Sequence, residues 1–125
     1  MAQAVLVVDD EVAICDGIAA FLEDEGMQVH TAHSGEDAVA CVRTGCPVQV
    51  CIMDLRLPGM NGIDAILQLQ RVAPDVRFII HTGSARDAVT AELGRVGLQA
   101  APVFKKPVRD LAEMARTVRT LCASA

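Results

Sequence analysis

Residues 4–11 read AVLVVDDE, five consecutive apolar residues that run straight into three acids. The run is rich in β-branched valine and so prefers a strand to a helix turn, and its unbroken apolarity fits a strand covered on both faces. Downstream, Ile14, Ile18, Phe21 and Leu22 recur at helical spacing until Gly26, a residue suited to the left-handed position just past a helix end. A strand is followed by a helix, and the alternation continues. Gln28 to Ala32 (QVHTA) alternates weakly, as an edge strand would. Ser34, with Asp37 three residues on, opens a second helix through Val39 and Val42 that ends near Gly45.

Val48 to Met53 (VQVCIM) is a third strand, closing on Asp54 and the turn-rich stretch from Leu57 to Gly62. Ile63, Ile66 and Leu67 mark a third helix, which must stop by Ala73 because Pro74 disfavours helical geometry before it. Val76 to Ile80 (VRFII) reads as a fourth strand. Ser84 repeats the capping pattern ahead of a fourth helix at Val89 and Leu93, with Gly94 and Gly97 ending it. Pro102 to Phe104 is a brief fifth strand. After Pro107, Val108, Leu111, Ala115, Val118 and Leu121 share one helical stripe. Five strands alternating with five helices predict one α/β domain, with a five-stranded parallel sheet, right-handed crossovers and helices on both faces.

Composition narrows the function. The 125 residues fit one domain, and sixteen Asp and Glu against eleven Lys and Arg leave a net charge of -5, which argues against direct nucleic-acid or anionic-membrane partners. Three Phe with no Trp or Tyr leave no aromatic platform for stacking bases. The amino terminus is too short and too acidic for a signal peptide, and no apolar run approaches a membrane span, so a cytoplasmic location is expected. Five cysteines, an odd number without a matched pair of C-x-x-C motifs, read as free thiols, with Cys15, Cys41 and Cys51 inside apolar patterns. His30, His33 and His81 have no partner at ligand spacing and read as structural or surface residues.

Ligands of a parallel sheet bind at the carboxyl ends of its strands. Strand one ends in Asp9 and Asp10, strand three in Asp54, strand four in His81-Thr82-Gly83-Ser84, and strand five in Lys105-Lys106-Pro107. Two unit charges about 4 Å apart repel by roughly 4 kcal/mol at an effective dielectric near 20, so three clustered carboxylates require a counter-charge. Mg²⁺ suits oxygen ligands and is held by one or two carboxylates plus phosphate. Beside it a carboxylate can attack phosphorus and form an aspartyl phosphate, aided by a lysine and a hydroxyl.

Four pieces, VLVVDDE, MDLRLPGMNG, IIHTGS and FKKPV, stand in the order and approximate spacing of one family. The chain resembles a receiver domain of two-component response regulators, of the stand-alone, single-domain type, over essentially all of 1–125 and without an output domain. The resemblance implies the flavodoxin-like strand order 2-1-3-4-5, with Asp54 as the phosphoacceptor, Asp10 a direct Mg²⁺ ligand and Asp9 a ligand acting largely through water. The Arg56 backbone carbonyl would complete the protein's share of the metal shell. Lys106 would pair with a phosphoryl oxygen, and Thr82 would supply the hydroxyl that moves toward the phosphoryl group. A cis bond ahead of Pro107 would aim Lys106 inward, Lys105 would face solvent, and Ser84 would be first a helix cap. Ser84 and Arg56 would also flank the path of the hydrolytic water.

The implied activity is a phosphorylation-dependent switch of a two-component phosphorelay. Asp54 takes a phosphoryl group from a sensor histidine kinase or histidine phosphotransfer protein and signals by protein contact or relay to a downstream protein. The chain would be no enzyme beyond its own phosphorylation and autodephosphorylation. Where the family usually carries Tyr or Phe, three residues before the site lysine, this chain has Val103. Phe104 points to the opposite face of the strand, so the chemistry is expected without the aromatic half of the usual switch. Three alternatives stand beside this reading: a receiver-like adaptor that is never phosphorylated, an Asp-nucleophile phosphatase, and a flavodoxin-like binding module. The phosphatase would need a second acid where Arg56 stands, and the binding module would need a phosphate loop where Asp9, Asp10 and Glu11 stand.

Overall fold

The apolar run that opens the chain forms β1 (Ala4–Val8), every residue of it buried, an inner strand of a parallel sheet. The computed structural model describes residues 2–123. Within them α1 (Val12–Asp24), β2 (Gln28–Ala32), α2 (Gly35–Arg43), β3 (Val50–Met53), α3 (Gly62–Val72), β4 (Arg77–Thr82), α4 (Arg86–Arg95), β5 (Val103–Lys105) and α5 (Leu111–Ala123) follow in turn. The strands lie in the order β2-β1-β3-β4-β5, as expected, and each neighbouring pair is parallel.

Alternation along the strands divides the core into two layers. Leu6, Val8, Cys51, Met53, Phe78 and Ile80 face α2, α3 and α4, while Val5, Val7, Val50, Ile52 and Ile79 face α1 and α5. Period-2 side-chain geometry makes this division automatic once register is set, and the register Val8↔Met53 and Met53↔Ile80 brings the strand ends level. Removal of these aliphatic side chains from water, at about 1.5–3 kcal/mol each, outweighs the absence of large aromatics.

Several expected boundaries shift for identifiable reasons. β3 starts at Val50 rather than Val48, because Gln49 pairs with Ala4 through its backbone N–H and its side-chain Oε1, outside the regular ladder. β4 runs two residues past Ile80, since β5 provides ladder partners for His81 and Thr82 that their polarity does not advertise. β5 begins at Val103, Pro102 contributing only its carbonyl to the Ile80 N–H. Gly94 sits inside α4 and Gly97, at φ 73°, does the turning; Val108 precedes α5. Leu67 is exposed, and α3 instead buries Ala65, Ile66 and Leu69.

Candidate functional site

The ends of β1, β3, β4 and β5 bring side chains to the same edge of the sheet. The Asp9 N–H donates to the Ala32 carbonyl and the Asp54 N–H to the Val8 carbonyl, which extends the ladder one residue past β1 and β3 and fixes both aspartates. Both side chains are buried, Asp9 at 1% and Asp54 at 3% exposure, while Asp10 is exposed. Oxygens of these three carboxylates lie within 4.8 Å of one another. From the far side, the Lys106 N–H donates to the Thr82 carbonyl, and the Lys106–Pro107 peptide is cis, as the sequence resemblance implied. The lysine Nζ stands 2.8 Å from Asp9 Oδ2, 2.9 Å from Asp54 Oδ2 and 3.0 Å from Glu11 Oε1.

One ammonium therefore serves three acids, and its charge is held firmly. Burial alone would lower the Lys106 pKa, but the close carboxylates of Asp9, Asp54 and Glu11 more than reverse this and hold it above the ordinary range. Asp54 moves up, chiefly by burial; the Arg56 N–H at 3.0 Å on its Oδ1 and Lys106 offset this only in part, and nearby Asp9 adds to it. Asp9 Oδ2 is buried and lacks an aligned hydrogen bond, although Lys106 lies close enough to pair with it. A buried carboxylate oxygen without an aligned donor, beside two more carboxylates, fits a hard divalent cation with oxygen ligands.

Thr82 is buried at the end of β4, and its hydroxyl accepts from the Ser84 N–H at 3.3 Å. Lys105 is exposed, as expected of the outward neighbour of Lys106. Ser84 does not cap α4: the N-cap is Ala85, with no side-chain hydrogen bond, and Ser84 Oγ instead accepts from Arg56 Nε at 2.6 Å. A capping-type sequence was outcompeted by a guanidinium arriving from another loop. Arg56 also donates through Nη1 and Nη2 to the two oxygens of Glu92, so a bidentate fork ties the segment after β3 to α4. Val103 packs into the α2–α3–α4 layer and Phe104 into the α1–α5 layer, the opposite facing expected from the strand period.

Four residues of the site region carried little sequence signal for their roles. Glu11 read as part of an acidic run rather than a lysine partner. His81 is neither surface nor ligand: it is buried with Nδ1 3.8 Å from Asp9 Oδ2, and burial and Lys106 lower its pKa, keeping it neutral. Glu92 lies thirty-six positions from its arginine. Gly62 read as a turn former, but a Cβ there would stand 2.5 Å from the Asp54 carbonyl oxygen, so the start of α3 packs directly on the Asp54 backbone. His33 lies 3.9 Å from exposed Asp16.

A family model of the response regulator receiver domain matches residues 5–119. The chain is 36% identical over 121 residues to the response regulator GacA of Pseudomonas aeruginosa, covering 95% of this chain and 55% of GacA. It is 34% identical over 90 residues to the sensor kinase CckA of Brucella abortus, covering 71% of this chain and 10% of CckA. The chain thus spans about half the length of the first relative and a small part of the second. A crystal structure of a CheY-like response regulator receiver domain protein from Methanospirillum hungatei superposes with a TM-score of 0.88 at 22% identity, covering 99% of this chain and 96% of that one; it shares the fold.

Proposed function

Since the chain belongs to the response regulator receiver domain family, a family of phosphorylation-dependent two-component signalling, we propose that Asp54 is the phosphoacceptor of a phosphorelay switch. The observation that carries this is the convergence of Asp9, Asp10 and Asp54 with Lys106 at one sheet edge, the lysine 2.8 and 2.9 Å from two of the carboxylates. A carboxylate oxygen of Asp54 attacks the phosphorus of a phosphohistidine on a sensor kinase or phosphotransfer protein. The Asp54 O–P bond forms, the P–N bond breaks, and the electron pair leaves with the imidazole.

Asp9, Asp10, Asp54 and the Arg56 carbonyl would hold one Mg²⁺, which supplies neutralisation of phosphoryl oxygen charge. Lys106 keeps its proton throughout, so it balances a phosphoryl oxygen as a fixed cation. Thr82 offers a hydroxyl from the end of β4. Ser84 and Arg56, joined at 2.6 Å, stand over the approach to Asp54 and set how readily water reaches the acyl phosphate. Catalysis is confined to the chain's own phosphorylation and dephosphorylation. Arg56, engaged with Ser84 and Glu92, gives no second acid for turnover of external phosphate esters.

The phosphoryl group adds about -1.5 to -2 charge beside Lys106. Lys106 is shared with Glu11, and Arg56 with Glu92 on α4, so new charge at Asp54 draws on cations that now brace other elements. In this reading 1–125 is one cytoplasmic receiver domain whose state is read by a downstream protein or relayed to a second histidine. Among the described residues no helix is long and apolar enough to cross a membrane. The reading is tested by incubating wild type and Asp54→Asn with Mg²⁺ and a small phosphodonor. Acid-labile label confined to wild type is expected, and equal label on both would overturn it.

A further inference from the structure

A second set of donor atoms lies away from the acids, on the outer edge of the sheet. His30 is in the middle of β2, the edge strand, in register with Leu6 and so on the α2 side. Cys41 lies in the last turns of α2. Beyond it Gly45, at φ 97°, reverses the chain, and the Cys46 N–H returns to the Cys41 carbonyl at 3.1 Å. This turn brings the second thiol back beside the first. One imidazole nitrogen of His30 and the two Sγ atoms lie within 4.8 Å of one another, each residue partly buried. His30 Nε2 is itself buried and has no hydrogen-bond partner.

We propose that His30, Cys41 and Cys46 form a binding site for a thiophilic divalent cation of the zinc type. Two thiolates and an imidazole are the donor set such an ion prefers, whereas Mg²⁺ prefers the oxygens at the other site. Bond lengths of about 2.3 Å to sulfur and 2.0–2.1 Å to nitrogen place tetrahedral donors about 3.5–3.8 Å apart, so closure from the present arrangement requires about an ångström. Three protein donors leave a fourth position for water or a donor from another molecule. C-x₄-C with a histidine eleven residues upstream matches no common zinc spacing, which is why the sequence does not announce it.

The principal competitor is a Cys41–Cys46 disulfide. It would leave the buried imidazole nitrogen without a partner, which the metal site does not. Each cysteine that ligates must release its proton to solvent as the metal–sulfur bond forms, so binding releases about two protons and tightens as pH rises.

Cobalt(II) reports such a site directly. The reduced full chain, kept in excess Mg²⁺ to occupy the carboxylates, is titrated with Co²⁺ and then with Zn²⁺. Thiolate-to-cobalt charge transfer and intense tetrahedral visible bands are expected to saturate at one equivalent and to bleach on Zn²⁺ addition. Cys41→Ser, Cys46→Ser and His30→Gln should each weaken binding by about tenfold or more, since even second-layer partners are worth 10–100-fold. Asp54→Asn should leave the titration unchanged, which separates this site from the phosphoacceptor. Circular dichroism verifies that each variant is folded. Absence of the charge-transfer band, an unchanged affinity and band intensity in folded Cys46→Ser, or air oxidation to the disulfide in the presence of one equivalent of Zn²⁺ would overturn the assignment.

Discussion

The two flanks of the sheet that meet at Asp54 are built differently. On one side β1 and β3 are buried at every position, and α1 packs Cys15, Ile18, Ala19 and Leu22 behind them. On the other side β5 has three residues, none fully buried, and α4 buries Val89 and Leu93 and has no side-chain cap. The first flank carries Asp9 and Asp54; the second carries Lys106 and the helix gripped by Arg56. The acids are thus fixed by a rigid wall, while Lys106, which pairs with them, sits on the more loosely packed limb. In the proposed switch, added charge at Asp54 would be felt where the structure yields most easily, since low local packing gives low-energy local opening.

Four substitutions probe that contrast. The largest effect is expected from Asp54→Asn, which should reduce acid-labile phosphoryl label to background while leaving the fold intact, as measured by phosphodonor labelling and circular dichroism. Label on another residue would detach the chemistry from the rigid wall.

Next in size is Gly62→Ala. Its Cβ would meet Asp54 and Leu55 backbone atoms at 2.5 and 2.6 Å, which cannot rotate away as a flexible side chain could. A loss of about 2–3 kcal/mol is expected, read as a lower urea midpoint with unchanged slope. A cost near zero would mean that the wall yields.

A smaller, pH-dependent effect should accompany Asp54→Asn in metal-free buffer. Asp54 lies above its ordinary pKa because of burial, so it binds its proton more tightly folded than unfolded. Its ionisation therefore weakens the fold as pH rises from the unfolded-state value, about 3.9, through the folded-state value. The variant should melt higher than wild type at neutral pH, and the advantage should vanish below about pH 4, where both states are protonated. An advantage that persists in acid would contradict the burial account.

The smallest global effect belongs to Arg56→Ala and Glu92→Ala. Their ion pair is partly exposed, so each is expected to cost about 0–1 kcal/mol, with little additional loss in the double variant. Glu92 is held below its usual pKa, first by its hydrogen bond to Arg56. The coupling should therefore be present above about pH 4.3 and fade as pH falls through the depressed folded-state value. Amide exchange across α4 should quicken in both variants while β1 and β3 remain protected. Uniform exchange would erase the distinction between the two flanks.

Much of this organisation was legible because it depends on local pattern. The ends of β1 coincide with its apolar run and those of β2 with its weak alternation, and Ser34 caps α2 by accepting from the Asp37 N–H as its spacing predicted. Asp9, Asp54 and Lys106 converge because strand ends in a parallel sheet share an edge, so alternation alone places them together. The same capping logic failed at Ser84, where Arg56 from a different loop took the hydroxyl. Val103 and Phe104 were placed on opposite faces by period alone, and the two core layers received them so.

By itself the sequence determined the parallel α/β fold and the identity of the acids at its carboxyl edge, because apolar periodicity and turn chemistry act between near neighbours. Tertiary structure alone decided that Lys106 spans three carboxylates, that Arg56 leaves Ser84 unavailable to α4, and that His30 stands beside Cys41 and Cys46. Those pairings depend on distances of a few ångströms between residues far apart in the chain. Side-chain length, strand register and the competition for each donor fix such distances, and none of these is written in any local stretch of sequence.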